Sequence, residues 1–341
     1  MKPKISIILP TYNRLDRLKK VILGLEKQTY PLDSFEVIVV SDGSSDGTDD
    51  YLKSIQTPLQ LTPVFQPNQG VAATRNHGVE KAKGNILVFI DDDVFPIPEF
   101  LAEHIKVHEK EDENTVVIGP MLTPPDFHLL PWVKWSQDRL NEQYHSMLAG
   151  EWAPTARQFY TGNTSFAREI FVKYGGFDQN FRRAEDVELA YRWHKHGIKF
   201  YFCPEAIGYH YEERSFQSWL AIPYAYGCND VIFTFKKDNA WLLPTIFKEY
   251  HDRHAITRFF VQVCLGRRGL IVLFTQGMRA IIEIGARLSI DLIARIACSS
   301  LFNLYYFQGI ADELGSRQAV INAINGETIS SPYLSNSTSG I

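Results

Sequence analysis

The stretch Ile86-Leu87-Val88-Phe89-Ile90-Asp91-Asp92-Asp93-Val94 decides how the chain reads. Five apolar residues without a polar interruption mark a strand buried on both faces. Three consecutive carboxylates then end it. Two runs of the same kind precede it. ISIIL at 5–9 is followed by Pro10-Thr11-Tyr12-Asn13, and EVIVV at 36–40 opens into SDGSSDGT. LKKVILGL, DDYLKSI and TRNHGVEKAKG lie between them with helical spacing; Thr48 is the expected N-cap of the second helix and Gly84 the expected close of the third. LQLTPVF is a weaker strand interrupted by proline. Strands alternating with helices predict an α/β fold with a mostly parallel, Rossmann-like sheet covered on both faces. Ligands of such sheets bind beyond the carboxyl ends of the strands. The polar clusters lie there: Thr11-Tyr12-Asn13, Asp42-Gly43-Ser44 and Asp91-Asp92-Asp93.

Working outward, residues 119–160 are rich in proline and aromatics and read as an irregular excursion. TGNTSFA then reads as a strand, REIFVKYGGF as a helix ending at Gly175-Gly176, and AEDVELAYRWHKHG as a helix closed by Gly197. IKFYFCPEAIGYHYEE reads as a strand and its return. Composition changes near residue 230: the stretch 236–295 holds ten Lys+Arg against five Asp+Glu. Within 278–297 the charges Arg279, Glu283, Arg287, Asp291 and Arg295 form one helical stripe, and isoleucines and leucines cover most of the remaining circumference. The expected organisation is a sheet domain over 1–229, with halves 1–118 and 119–229, then an amphipathic helical region over 230–325 and a flexible tail over 326–341.

Of the 341 residues, 45% are hydrophobic and 22% charged, which excludes wholesale disorder. A net charge of −4 supplies no global basic field for nucleic acid. Cys203, Cys228, Cys264 and Cys298 are too far apart for a CxxC metal site or a disulfide scaffold, so reduced thiols and a cytoplasmic setting are expected. The short apolar run at the N-terminus predicts no leader. No uncharged apolar stretch approaches the roughly 20 residues of a spanning helix.

The candidate chemistry lies in carboxylates. Asp91, Asp92 and Asp93 repel one another, and a hard divalent cation relieves that repulsion. The plainer reading is a solvated acidic turn. Asp42 suits a ribose hydroxyl or a base N–H, and equally an Asx-turn. Arg75 sits near a helix start, where an anion such as a diphosphate or a surface ion pair would balance it. Glu185-Asp186 opens a helix; the dipole favours acid there, and a carboxylate there is also a candidate general base. His210 is a structural histidine or a further metal ligand. Trp132, Trp135, Trp152 and Trp193 suit sugar stacking or a core.

Taken in order, IILPTYNR, VIVVSDGSSDGT, NQGVAATRNHGVEKAKG, ILVFIDDDV, GGFD and AEDVELAYR resemble a family 2 glycosyltransferase over roughly residues 4–215. The resemblance implies a GT-A fold with a C-terminal helical extension. It implies a nucleotide-sugar donor, a UDP-sugar first among them, a divalent cation (Mn or Mg), and inversion at the anomeric carbon. Carried over residue by residue, Pro10, Thr11, Asn13, Asp42, Arg75, Asp91 and Asp92 match donor-contacting positions. Asp93 is the implied metal ligand, with Asp91 and, more loosely, His210. Asp186 of the Glu185-Asp186 pair is the implied catalytic base. Ala184 stands where many relatives have glycine. No QxxRW follows, which argues against a processive synthase. The implied acceptor is a carbohydrate or lipid-linked hydroxyl in polysaccharide or glycolipid assembly. No nucleic acid partner is expected. A sugar-phosphate nucleotidyltransferase would need a Gly-rich basic loop where this chain has PTYNRLDR. A membrane-associated scaffold with a degenerate nucleotide fold would not need Asp186. The C-terminal helices read either as a peripheral anchor at the inner face of the membrane or as a face that packs on the catalytic domain or forms a homodimer.

Overall fold

In the computed structural model, which describes residues 4–181 and 183–333, the three apolar runs become adjacent strands. Chain order begins β1 (Ile5–Thr11), α1 (Leu15–Glu26), β2 (Phe35–Asp42), α2 (Thr48–Ser54), β3 (Gln60–Gln66), α3 (Val71–Lys81) and β4 (Ile86–Ile90). It continues with β5 (Val94–Pro96), α4 (Phe100–His108), β6 (Thr115–Ile118), β7 (Met121–Leu122), α5 (Pro131–Leu148), β8 (Asn163–Ala167), α6 (Arg168–Tyr174), α7 (Glu185–His194), β9 (Lys199–Phe202) and β10 (Gly208–His210). Helices follow: α8 (Phe216–Lys236), α9 (Leu242–Tyr250), α10 (Ala255–Cys264), α11 (Arg268–Arg287), α12 (Asp291–Glu313) and α13 (Arg317–Ile324).

The chain divides into two compact units, Met1–His128 with Gln137–Glu212, and Leu129–Ser136 with Glu213–Ile341. The division falls at Glu213; residue 230 lies inside the continuous helix α8.

The first unit holds a seven-stranded sheet in the order β3-β2-β1-β4-β8-β6-β9. β3, β2, β1 and β4 run parallel, and β8 is antiparallel to both its neighbours. Ile5, Ile7 and Leu9 of β1 and Val37 and Val39 of β2 pack with Leu18, Val21, Ile22 and Leu25 of α1, whose spacing puts them on one helix face. α3 covers the other face, where Gly78 stands against Ile8 and Val40. Pro63 is tolerated because β3 is the edge strand. A second sheet, β5-β10-β7, is small.

Several expectations need correction. Gly47, at φ +94°, is the N-cap of α2, and Thr48 is its first helical residue. Asp46 accepts from the Thr48 N–H and hydroxyl. α3 ends at Lys81; Gly84 lies beyond it and donates its N–H to Ser6 Oγ. The excursion 119–160 contains the 18-residue helix α5. Its apolar pattern was unreadable because its buried side chains split: Trp132 and Val133 belong to the second unit's core, and Tyr144 is buried in the first. The return after β9 does not pair with β9; β10 joins β5 and β7 in the second sheet.

The second unit is helical. α8 and α12 pack against each other closely, because a side chain on Gly227 or Gly309 would strike the backbone of the opposite helix. Trp132, Phe216, Trp219, Ile282, Cys298 and Leu301 belong to its core. The single stripe read over 278–297 is broken: α11 stops at Arg287, Ser289 takes φ +56°, and α12 begins at Asp291. By length and composition α11 is apolar enough to cross a membrane, although Arg268, Arg279, Glu283 and Arg287 interrupt it, so it is not an uncharged stretch. Of the tail 326–341, residues 334–341 lie outside the described residues; Tyr333, before them, donates its hydroxyl to Glu313 at 2.5 Å.

Candidate active site

The register of β1 on β4 pairs Ile8 with Phe89, so its continuation sets Thr11 beside Asp92. The Thr11 hydroxyl donates to Asp92 Oδ2 at 2.8 Å. Arg14, in the turn after β1, reaches Asp92 Oδ1 at 2.9 Å and Asp93 Oδ2 at 2.5 Å, and Arg17, near the start of α1, stands 3.4 Å from Asp93. β10 pairs antiparallel with β5, opposing His210 to Val94. That pairing explains how a residue more than a hundred positions away brings its Nε2 to 3.6 Å from Asp93 Oδ1. Burial alone would raise the Asp93 carboxyl, but His210, Arg14 and Arg17 overcome it and hold the group below its ordinary range. Asp92 goes the other way: burial pushes it up to about 6 despite Arg14 and the Thr11 hydroxyl.

A second acidic group gathers around Arg75. Its guanidinium is buried, with one nitrogen 2.7 Å from Glu185 Oε1 and another 2.8 Å from Asp91 Oδ1. It also lies over the Phe177 ring. The anions that Arg75 calls for are thus met by two carboxylates of the chain itself, in a buried cluster rather than a surface pair. Asn76 fixes the turn beneath it, exchanging hydrogen bonds with the Phe177 backbone at 2.8 and 2.9 Å.

Asp186 follows Glu185 in the first turn of α7. Its neighbour Ala184 is the N-cap, at φ +58° and ψ +24°. This left-handed conformation costs an L-residue about 1–2 kcal/mol and explains why glycine suits the position. Burial pushes the Asp186 carboxyl up to about 7, the charge of Glu185 adds to the push, and Arg75 opposes it. The side chain remains partly exposed and accepts from the Val187 N–H at 2.8 Å.

The remaining sites read from sequence take other roles. Asp42 spends both oxygens inside the fold, on Gln66 Nε2 (2.8 Å), Gln69 N–H (2.8 Å) and Gly70 N–H (2.9 Å), which closes the turn into α3. Asn13, at φ +53°, accepts from the Ser45 N–H at 2.7 Å and ties the first turn to the second. Pro10 is buried in β1. Trp193 is buried in the first unit, stacked edge-on against Phe166, and Trp132 and Trp135 belong to the second unit's core, so these three rings are structural.

Asp93 and His210 fit a divalent cation: an ionised carboxylate and an imidazole nitrogen approach one point, a donor pair suited to Mn or Mg with added water. Asp91 gives one oxygen to Arg75 and stands with the other group. Sequence reasoning missed Arg14 and Arg17. The signal was present: three successive carboxylates need cations, and the strand neighbouring them ends in PTYNRLDR.

The mostly parallel sheet, with acidic groups at its carboxyl edge and a carboxylate pair opening a helix, has the GT-A architecture. Residues 6–175 match the model of Glycosyl transferase family 2, and the chain belongs to that family. Validoxylamine A glucosyltransferase of Streptomyces hygroscopicus subsp. jinggangensis is 32% identical over 232 residues, covering 60% of this chain. The match takes in 55% of that relative, so the chain spans about half its length. Among solved structures, S. aureus TarS 1–349 in complex with UDP-GlcNAc superposes with a TM-score of 0.56 at 17% identity, over 92% of each chain. The mannosyltransferase PcManGT from Pyrobaculum calidifontis, in complex with GDP-Man and Mn2+, gives 0.54 at 21% identity, covering 89% of this chain and 88% of the other. These two likenesses establish the fold.

Proposed function

We propose that this glycosyltransferase moves a sugar, with inversion, from a nucleoside diphosphate sugar to a hydroxyl of a carbohydrate or lipid-linked acceptor, in polysaccharide or glycolipid assembly. The observation that carries the reading is Asp186: a partly exposed carboxylate held near neutrality at a helix start, joined through Glu185 and Arg75 to Asp91. A base poised near the working pH is the condition for general-base catalysis.

On this reading Asp186 takes the proton of the acceptor hydroxyl as its oxygen attacks the anomeric carbon. The bond from that carbon to the diphosphate oxygen breaks, and the nucleoside diphosphate leaves with the electron pair. One displacement inverts the centre. Arg75 holds Asp91 and Glu185 in place through two ion pairs, and the charge of Glu185 raises the proton affinity of Asp186. A divalent cation bound by Asp93 and His210 would offset the charge of the departing diphosphate. Thr11 positions the acidic strand end through Asp92.

A UDP-sugar is the first donor to test, supported by the UDP-GlcNAc complex of TarS; the GDP-Man complex of PcManGT makes a GDP-sugar the second. The four cysteines are free thiols, which supports a cytoplasmic working place. Hydrolysis of UDP-, GDP- and dTDP-sugars with Mn2+ and with Mg2+ tests the reading. Metal-dependent turnover of one class, lost in Asp186→Asn with donor binding kept, is expected. Turnover that survives Asp186→Asn removes the base from the mechanism.

A further inference from the structure

α11 presents two apolar faces to two different surroundings. One face, with Phe274, Met278, Ile281 and Ile282, packs into the second unit's core. The other points away from it. At roughly 100° per residue, Leu270, Leu273, Gly277, Ala280 and Ile284 fall within an arc of about 80° opposite Ile282. Leu273 is 68% exposed, and the turn into α12 continues the apolar surface with Leu288 at 64% and Leu292 at 69%. Ile293 is exposed beside them. Contiguous apolar exposure of this kind marks an interaction surface.

Its charge says with what. Residues 253–295 carry seven arginines against Glu283 and Asp291, a net of +5 within a chain of net −4. Arg268, Arg279 and Arg287 are exposed along α11 itself. A two-fold dimer through this face would set the same cationic rim against its own copy, which like-charge repulsion opposes. A spanning role would require the inner face to leave the core it already fills. An apolar stripe bordered by Arg287, in a helical region of net positive charge, matches the interface of an anionic bilayer.

We propose that the outward face of α11 and the α11–α12 turn dock the protein on an anionic phospholipid surface, α11 lying in the headgroup region rather than crossing it. The surface is independent of the catalytic assignments, because donor hydrolysis in solution reports on those and vesicle binding on this.

The test is flotation of the full chain with vesicles of phosphatidylcholine alone and of phosphatidylcholine mixed with phosphatidylglycerol, with its solution mass measured by light scattering. The wild type is expected to float with the anionic vesicles and to bind the neutral ones at least tenfold less. Leu273→Glu and Leu292→Glu each lower anionic partitioning by roughly tenfold or more, and Arg287→Glu lowers it by roughly fivefold or more. Val172→Glu, at an exposed apolar position of the first unit, changes nothing. All four positions are exposed, and unchanged donor hydrolysis in solution confirms each fold. Absence of flotation, equal binding to both vesicle types, or a dimer that Leu273→Glu dissociates overturns the proposal.

Discussion

Asp93 and Asp186 are both largely buried carboxylates within reach of arginine charge, yet they are held in opposite states. Around Asp93 two arginines, Arg14 and Arg17, converge with the His210 imidazole, and the carboxyl is held below its ordinary range. Around Asp186, Arg75 is shared among Asp91, Glu185 and Asp186, and the last of these is pushed up to about 7. The ratio of cations to carboxylates, more than burial, separates a group suited to hold a metal from one suited to take a proton. Pairs of carboxylates pushed apart in this way mark acid–base assignments in many enzymes.

Removing the proton acceptor strikes that contrast hardest. Asp186→Asn is expected to lower transfer by about 10³-fold while donor affinity, read by calorimetry, moves by less than about twofold. A loss confined to KM would place Asp186 in binding instead. Arg75→Met is next. It leaves Glu185 buried, and Asp91 half-buried, without their shared cation, and the urea midpoint should fall by an amount worth about 3 kcal/mol. A stability within error of the wild type would show that the acidic group does not depend on Arg75.

Arg14→Gln sharpens the other side. Its guanidinium occupies Asp92 and Asp93, so Mn2+ must compete with it for Asp93. Mn2+ affinity, read by paramagnetic resonance of the donor-free protein, should rise roughly tenfold. A fall would mean that Arg14 organises the site rather than competing for it. Ala184→Gly carries the smallest effect. Relief of the left-handed alanine, less the entropy glycine adds to the unfolded chain, should stabilise the fold by about 0.5–1 kcal/mol in a denaturant titration.

Much of this arrangement was readable before any coordinates. β1, β2 and β4 are continuous apolar runs because both their faces are covered, and each run stops at the carboxyl edge of the sheet, where Thr11, Asp42 and Asp92 are buried with polar partners. Asp186 and Asp93 were readable from their places in motifs. Their electrical states were not, because those depend on Arg75, Arg14 and His210, which are distant in the sequence from the carboxylates they act on. β10 shows the same limit: three residues carry little periodicity, and their pairing with β5, not the sequence after β9, brings His210 to Asp93. α5 was hidden by the division of its buried side chains between two cores. The helix break at Ser289 was hidden by charges whose four-residue spacing continues across it.

The central claim is that Asp186 is a base half-ionised near neutral pH. Its folded pKa lies above the ordinary value of 3.8, so the active, ionised form appears only as pH rises through about 7. The direct measurement is the pH dependence of kcat/KM with saturating metal. The account predicts an acid limb near 7, with activity falling about tenfold per unit below it. A profile that stays flat down to about pH 5, as an ordinary carboxylate would give, contradicts it.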